Sequence, residues 1–259
     1  MNKLFTCVFI EFKKLFRSKV PLITTLALTM VPFMGGFFMF ILKDPNLAES
    51  LGFISAKAHI IGTADWGSYM DLISQAISIG GLLVFGFITS WIFGREYADR
   101  TIKDLLAIPV SRSLIVFSKF IVATIWPFML SIYVLILSLI IGMVIGMPGF
   151  TSSLLIDGVF IYMICSILTM LLSTPVGLFA SAGRGYLSPL GFVIFTLVLA
   201  QIIAATGYGM YFPWAIPAII AGIAGKFGII EHSSILIVLF TSLIGIISTI
   251  LWWRFAEQH

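Results

Sequence analysis

Six long apolar runs, separated by short polar segments, dominate the pattern of this chain. They lie near Val20–Leu42, Leu72–Phe93, Phe120–Gly146, Leu154–Ser181, Pro189–Thr206 and Ser234–Trp253. At about 1.5 Å of rise per residue, a helix over each run can cross a hydrocarbon core of about 30 Å. The pattern therefore predicts an all-α polytopic membrane protein with six transmembrane helices, in which residues 1–259 form a single transmembrane domain.

The segment of residues 1–19, ahead of the first run, is amphipathic. Apolar residues recur in it at helical spacing and basic residues fall between them: Leu4, Phe5, Val8, Phe9, Phe12, Leu15 and Phe16 against Lys3, Lys13, Lys14 and Arg17. This pattern predicts a helix that lies in the plane of the inner membrane interface. Two interpretations stay open: a simple membrane anchor, or an elbow helix that also contacts a cytoplasmic partner.

A dense polar segment, Gly94–Arg112, separates the second and third runs. Seven of its residues are charged, in a chain with only 15 basic and 11 acidic residues. Opposite charges at i,i+4 spacing each stabilise a helix by roughly 0.2–0.5 kcal/mol, so the second span is expected to continue as a helix beyond the membrane, either straight or with a bend. Four such pairs occur: Arg95–Asp99, Glu96–Arg100, Asp99–Lys103 and Arg100–Asp104.

The far end of this polar segment carries a small apolar face. Ile102, Leu105 and Leu106 form it at i, i+3 and i+4. Pro109 disfavours helical backbone at Ile108, so the helix is expected to stop there. The apolar face either rests on the bundle, as part of a self-neutralised surface turn, or enters a groove on a soluble partner.

Another irregular segment, residues 207–232, separates the fifth and sixth runs. Its apolar stretch Ala215–Gly225 is too short to span a membrane and is bracketed by Pro213, Pro217 and Gly225. Aromatic residues precede this stretch, and aromatic side chains favour the membrane–water boundary. We expect a short re-entrant or interfacial element on the outer face that packs against the bundle.

Charge distribution predicts the orientation of the chain in the membrane. With the N-terminus inside, 12 of the 15 basic residues fall on the inner side, all except Lys43, Lys57 and Lys226. Basic residues favour the cytoplasmic side, so we expect both termini in the cytoplasm and a plasma-membrane location. The net charge of +4 is accounted for by this bias and calls for no nucleic-acid partner.

The interiors of the six runs contain no Asp, Glu, Lys, Arg or His, and Lys119 and Asp157 lie only near span ends. Proton-coupled pumps place such residues inside the membrane, so the pattern argues against a proton-driven transporter. It does not exclude sodium coupling, because backbone carbonyls and hydroxyls can hold sodium. The sequence also has no P-loop, no HExxH and no GxSxG, and no spacing typical of metal ligands. We expect no catalytic residue, bound cofactor or metal in this chain, so active transport would need a separate energy-supplying subunit.

The polar segment carries a recognisable motif. The run from Glu96 through Arg100-Thr101 to Leu105-Leu106, Pro109 and Arg112 resembles the pattern E…[GR]T-x-x-x-L-L-x-x-P-x-x-R between spans two and three of type-2 ABC exporter permeases. The resemblance covers the whole chain. The string FPWAIPA, with Phe212, Pro213, Trp214 and Pro217, is similar to an outer element in permeases of bacitracin-resistance and lantibiotic-immunity exporters. Arg100 stands where glycine often precedes the threonine, which we expect to matter little in a helix.

The resemblance implies a specific assembly. Members of this family pair as homo- or heterodimers and bind two cytoplasmic ATPase subunits, which hold ATP and Mg²⁺. The segment of residues 94–113 would be the coupling segment, with its helix seated in a cleft of the ATPase and Glu96 helping to transmit closure. The docking residues implied are Glu96, Arg100, Thr101, Ile102, Leu105, Leu106, Ile108, Pro109 and Arg112.

The function implied is export of an amphiphilic substrate, such as an antimicrobial peptide, a drug or a lipid-like molecule. Two alternatives of other classes remain. One is an ion-coupled secondary transporter, and the other is a membrane scaffold or regulatory subunit that transports nothing.

Overall fold

A computed structural model of the chain describes residues 3–44, 63–107, 109–223 and 231–256, without the side chain of Leu106. Ten α-helices lie within these ranges. They are α1 (Lys3–Phe16), α2 (Val20–Lys43), α3 (Trp66–Ala98), α4 (Ile102–Ala107), α5 (Arg112–Ile145), α6 (Ser152–Leu172), α7 (Thr174–Ala182), α8 (Leu187–Ala205), α9 (Ile216–Ile220) and α10 (His232–Phe255). Six helical segments are long and apolar enough to cross a membrane, which confirms the predicted fold class.

The second and third spans extend furthest beyond their apolar runs. The helix α3 has 33 residues and α5 has 34, because polar residues at their ends remain helical. The fourth span consists of two helices, α6 and α7, that meet at Ser173. Pro175 lies in the first turn of α7, where the missing amide proton costs no hydrogen bond. The same proline cannot continue α6, so the preceding helix ends before it.

The helix α3 forms the centre of the bundle. It packs against α2, α5, α6, α7 and α8, and 61% of its most apolar stretch is buried, against 22–33% for the other spans. The remaining spans turn large apolar side chains outwards, which include Leu26, Phe33, Phe37, Met129, Ile136, Phe195 and Phe240. Exposed apolar surface of this extent requires a non-aqueous neighbour, as expected for helices that face lipid.

The two ends of the bundle differ in charge. One end, which we call the basic end, carries α1, the α3–α5 connection, the α7–α8 turn with Arg184, and Arg254. At the opposite end, the ammonium of Lys43 donates hydrogen bonds to the carbonyls of Ile145 (2.9 Å) and Gly146 (3.0 Å). These contacts join the ends of α2 and α5 and satisfy carbonyls that a helix C-terminus leaves unpaired.

The segment between α8 and α10 packs against the opposite end. Two 3₁₀ turns, Gly209–Tyr211 and Pro213–Ala215, lead into α9, whose five residues are all buried. The carbonyl of Pro217 accepts hydrogen bonds from the Ser78 hydroxyl (3.2 Å) and the Cys165 thiol (3.4 Å). The regular helix is therefore shorter than the apolar stretch of residues 215–225, and residues 224–230 lie outside the described part of the chain.

Candidate functional site

Glu96, in the last turn of α3, is buried at the basic end of the bundle. Its Oε1 accepts hydrogen bonds from the ammonium groups of Lys119 (2.8 Å) and Lys14 (3.1 Å). The predicted pair of Glu96 with Arg100 is therefore wrong. Glu96 points inwards from the last turn of α3, whereas the chain leaves this helix after Ala98 and changes direction at Arg100, so the two side chains do not share a helical face.

Lys119, on α5, is the most deeply buried charged side chain of this site. Its ammonium donates to Glu96 Oε1, to Glu11 Oε2 (3.2 Å) and to the carbonyl of Ile92 (2.8 Å). An ammonium has three protons, so its hydrogen-bonding capacity is filled. As predicted from the sequence, Lys119 lies near one end of the third apolar run. The helix α5 begins seven residues earlier, at Arg112, so Lys119 lies inside the helix and its side chain is fully buried among three helices.

Glu11, on the amphipathic helix α1, completes the site, and sequence analysis missed it. It is buried, and it accepts from Lys14 (2.7 Å) as well as from Lys119 (3.2 Å). A carboxylate between Val8 and Leu15, on the apolar side of an otherwise basic helix, was the available signal. Together Glu11, Lys14, Glu96 and Lys119 form the charged cluster, whose two anions and two cations balance.

The charged cluster joins three helices at one point. The helix α1 contributes Glu11 and Lys14, α3 contributes Glu96, and α5 contributes Lys119. Burying charges is expensive unless they are paired with good geometry, so the cluster forms only when the three helices are correctly placed. It therefore fixes the position of α1 against the start of the α3–α5 connection.

The turn after α3 is a helix-capping motif. The Thr101 amide donates to the Glu96 carbonyl (2.9 Å) and the Arg100 amide donates to the Tyr97 carbonyl (3.2 Å). These are the two hydrogen bonds of a Schellman motif, with Arg100 in its left-handed position at φ 58°. Glycine is favoured there, so the expectation that Arg100 lies in a helix is wrong, and its backbone adopts a conformation that disfavours most side chains.

The same turn divides the polar segment into the end of α3 and a short separate helix, and it breaks most of the predicted ion pairs. Of the four predicted i,i+4 pairs, Arg95–Asp99 forms, at 3.3 Å, and the other three are absent from the described ion pairs. The left-handed residue reverses the chain direction, so residues on either side of it no longer share a helical face. The result is a separate helix, α4, of six residues.

The helix α4 lies directly beyond the charged cluster. Ile102 is buried in the bundle, Leu105 is half-buried, and Thr101 and Pro109 are exposed. The Leu106 side chain and Ile108 fall outside the described residues. Arg112 follows as the first residue of α5, and its guanidinium donates to the Trp253 carbonyl on α10 (3.2 Å). The predicted docking residues that the structure describes are thus gathered at the basic end.

A groove separates α1 from the α4–α5 connection. It has a volume of about 430 Å³, and its walls include Cys7 and Ile10 on one side and Leu105, Pro109 and Val110 on the other. On α1, the exposed Phe5, Phe9 and Phe16 occupy a different face from these groove residues. At about 3.6 residues per turn the two faces are roughly opposite, so the groove opens away from the side on which α1 exposes its phenyl rings.

The predicted outer residues lie at the other end of the bundle. The ring centroids of Phe212 and Trp214 are 5.6 Å apart. Trp214 also packs edge-on against Phe192, with 5.5 Å between the ring centroids. Pro213 begins a 3₁₀ turn, and Pro217 lies in the buried helix α9. The aromatic rings of Phe192, Phe212 and Trp214 and the charged cluster are therefore separate sites at opposite ends of the bundle.

Comparisons with known proteins agree with this architecture. Residues 7–201 match the family described as ABC-2 family transporter protein. The chain is 32% identical over 194 residues to the bacitracin transport permease protein BCRB of Bacillus licheniformis, which covers 74% of this chain and 92% of that protein. The resemblance to this family is confirmed, and the chain belongs to the ABC-2 transporter family as a multi-pass membrane permease of an ABC transporter.

Proposed function

We propose that this permease couples ATP hydrolysis by a separate ATPase subunit to the export of an amphiphilic substrate. The observation that carries this proposal is the charged cluster, which joins α1, α3 and α5 immediately beneath α4. In the proposed complex, two permeases, identical or different, bind two ATPase subunits that hold ATP and Mg²⁺. The basic end faces the cytoplasm, in line with the positive-inside rule.

The connections of α4 support a role in transmitting movement. The capping turn attaches α4 to α3, buried Ile102 anchors it in the core, and the Arg112 contact ties the following residues to α10. Displacement of α4 therefore moves several spans together. An ATPase that contacts α4 differently in its ATP-bound and ATP-free states would bias the permease between inward- and outward-open states.

The substrate proposal rests on the relative and on the interior of the bundle. BCRB is named for bacitracin transport. In this chain, buried serine and threonine hydroxyls mostly bond to carbonyls of their own helix, as in the Ser74–Met70, Ser138–Val134 and Thr169–Cys165 pairs. The interior therefore presents chiefly apolar surface, which suits a peptide, drug or lipid-like cargo with a large apolar part.

A double substitution tests the docking step. Leu105→Asp combined with Leu106→Asp places two carboxylates on α4, and we expect the ATPase to be lost when the permease is purified in mild detergent. Arg254→Asp is the control, because it adds a carboxylate at the same end but outside the proposed contact. Retention of the full amount of ATPase by the double variant would exclude α4 as the docking helix.

Transport coupling needs a second experiment. In the purified complex, reconstituted in lipid, we expect a bacitracin-like cyclic peptide or another amphiphilic cargo to stimulate ATP hydrolysis. A scaffold or regulatory subunit would bind the ATPase without such stimulation. An ion-coupled transporter would move cargo with a sodium gradient and no ATP, so transport under that condition would overturn the proposal.

A further inference from the structure

A second cavity lies at the basic end, between the α3–α4 turn and the α7–α8 turn. It has a volume of about 400 Å³ and is lined by Tyr97, Arg100, Ile102, Lys103 and Arg184. Three of its five lining residues are cationic, and they come from two connections that are more than 80 residues apart in the chain. We call it the basic cavity.

The cations of the basic cavity have no carboxylate partner within the part of the chain that the structure describes. The ion pairs there involve Lys14, Arg95 and Lys119 as cations, and none involves Arg100, Lys103 or Arg184. The nearby Asp99 is paired with Arg95, and Asp104 does not line the cavity. Three like charges around one cavity repel each other, so an anion that binds among them would be stabilised.

Backbone geometry builds this arrangement. Arg100 and Arg184 are the two non-glycine residues with positive φ among the described residues, at 58° and 51°. At Gly94, a Cβ atom would come within 2.8 Å of the Gly185 carbonyl oxygen, so the absence of a side chain lets the α7–α8 turn approach α3. Both arginines thus occupy positions that disfavour most side chains, and both reach the same cavity.

The depth of the cavity indicates what kind of anion it binds. Arg184 lies in a tight turn between two spans, after α7 ends at Ala182 and before α8 begins at Leu187. Leu187 is 87% exposed, which places an apolar side chain towards lipid just beyond the turn. Arg184 lies three residues before the first residue of this transmembrane helix, so we expect it near the level of the lipid headgroups, where phosphates lie.

We propose that the basic cavity binds the phosphate of an anionic phospholipid headgroup. One guanidinium group can donate two parallel, charge-assisted hydrogen bonds to the oxygens of one phosphate. Basic pockets between transmembrane helices are suited to anionic headgroups. Tyr97 and Ile102 supply an apolar wall beside the cations, against which the glycerol region of the lipid can pack. The site is distinct from the groove beside α1, but it shares Arg100 and Ile102 with the docking segment that the family resemblance implies.

Native mass spectrometry of the full chain tests this proposal. The delipidated protein in detergent is titrated with phosphatidylglycerol or with phosphatidylcholine. The dissociation constant of the first bound lipid is taken from the fraction of protein that carries one lipid at each concentration. We expect a preference for phosphatidylglycerol, and we expect Arg184→Gln and Lys103→Gln each to weaken its binding about fivefold. Arg254→Gln removes a charge at the same end without touching the cavity, and should leave the affinity unchanged. Equal thermal unfolding of the variants shows that their folds are intact.

Several results would overturn the assignment. Equal binding of phosphatidylcholine, or an equal loss with Arg254→Gln, would show that the cavity does not select the lipid. Displacement of phosphatidylglycerol by excess inorganic phosphate would identify a site for a soluble ion instead. If Arg184→Gln abolished ATPase co-purification and left phosphatidylglycerol affinity unchanged, the cavity would be a protein contact.

Discussion

The ammonium of Lys119 lies 2.8 Å from Oε1 of Glu96, and both side chains are buried where α3 and α5 approach the α4 connection. A buried ion pair repays its desolvation cost only with good geometry, so its main effect is to specify position rather than to add stability. Here the position specified is that of α1, through Glu11, relative to the two helices that flank α4. We therefore expect the pair to matter for the transmission of movement as well as for folding.

Removal of the Lys119 ammonium should destabilise the protein strongly. Lys119→Met leaves Glu11 and Glu96 buried with only Lys14 to neutralise them, and breaking a buried ion pair in this way costs about 3–5 kcal/mol. The measurement is thermal unfolding in detergent. Lys13→Met is the control, because Lys13 is exposed on α1 and contributes nothing to the cluster.

A second substitution separates charge imbalance from lost packing. Combining Lys119→Met with Glu96→Gln removes one cation and one anion, so the double variant should unfold at a higher temperature than Lys119→Met alone. The single variant Glu96→Gln gives the stability loss from that change alone. If adding Glu96→Gln to Lys119→Met caused the same further loss, the two residues would act independently and the cluster would not be a unit.

Substitution by glycine should have opposite effects on the stability of the protein at Arg100 and at Lys103. Arg100 is left-handed, at φ 58°, so Arg100→Gly removes backbone strain and should leave stability unchanged or raise it by up to about 1 kcal/mol. Lys103 is helical and exposed, so Lys103→Gly should lower stability by roughly 0.8–1.0 kcal/mol. Equal losses at the two positions, measured by thermal unfolding, would contradict the capping geometry.

The same turn shows how far the sequence could predict the site. Apolar runs predicted six spans because the bilayer imposes a length and a composition on each one. The i,i+4 charges around Arg100 predicted four ion pairs along the segment, since that rule considers only local spacing, and one of the four is among the described ion pairs. Glu96 had a stronger option in Lys119, 23 residues away, and that contact depends on how helices pack. Glu11 escaped notice for the same reason, because its partner lies 108 residues along the chain.

Cys7 reports on the groove beside α1. Burial raises the pKa of the Cys7 thiol, and the nearby Glu11 carboxylate raises it further, whereas Lys14 opposes them. Alkylation by N-ethylmaleimide should therefore be slow at neutral pH and accelerate as pH rises and the thiolate forms. If the ATPase covers the groove, its binding should slow labelling further. Cys165 is fully buried and should stay unlabelled, and Cys165→Ala gives a matched background.

Asp65 makes the start of α3 sensitive to acid. Burial raises its pKa, but hydrogen bonds from the Thr63 hydroxyl and the Ser68 amide (2.8 Å) outweigh burial and leave the pKa below its usual range. A lowered pKa stabilises the folded state above the unfolded pKa, and this stabilisation is lost as pH falls below about 4. Asp65→Ala should cost about 1 kcal/mol at neutral pH, and less in acid.

Asn at the same position provides the control for this helix cap. Asp65→Asn keeps an oxygen that can accept from Ser68 but cannot ionise, so its stability should change little across the acid range. Thermal unfolding of the three proteins at several pH values makes the comparison. An acid-induced loss in Asp65→Asn as large as that of the natural protein would mean that another carboxylate is responsible.

Gly245 allows α10 to approach the break between α6 and α7. A Cβ atom at Gly245 would lie 2.7 Å from the backbone nitrogen of Pro175 and 2.8 Å from its Cα, which are backbone atoms that cannot rotate away. The Thr174 hydroxyl beside this contact lies 3.0 Å from the Ser242 carbonyl, so separation of the helices would also break a hydrogen bond. Gly245→Ala should therefore destabilise the protein by about 1–3 kcal/mol through overpacking.

Gly80, inside α3, provides the control, because there is open space around its Cβ position. Gly80→Ala should be neutral or raise stability by roughly 0.5–1 kcal/mol. The two alanine variants differ only in what surrounds the added methyl group, so thermal unfolding that ranked them equally would show that α7 and α10 do not pack this closely.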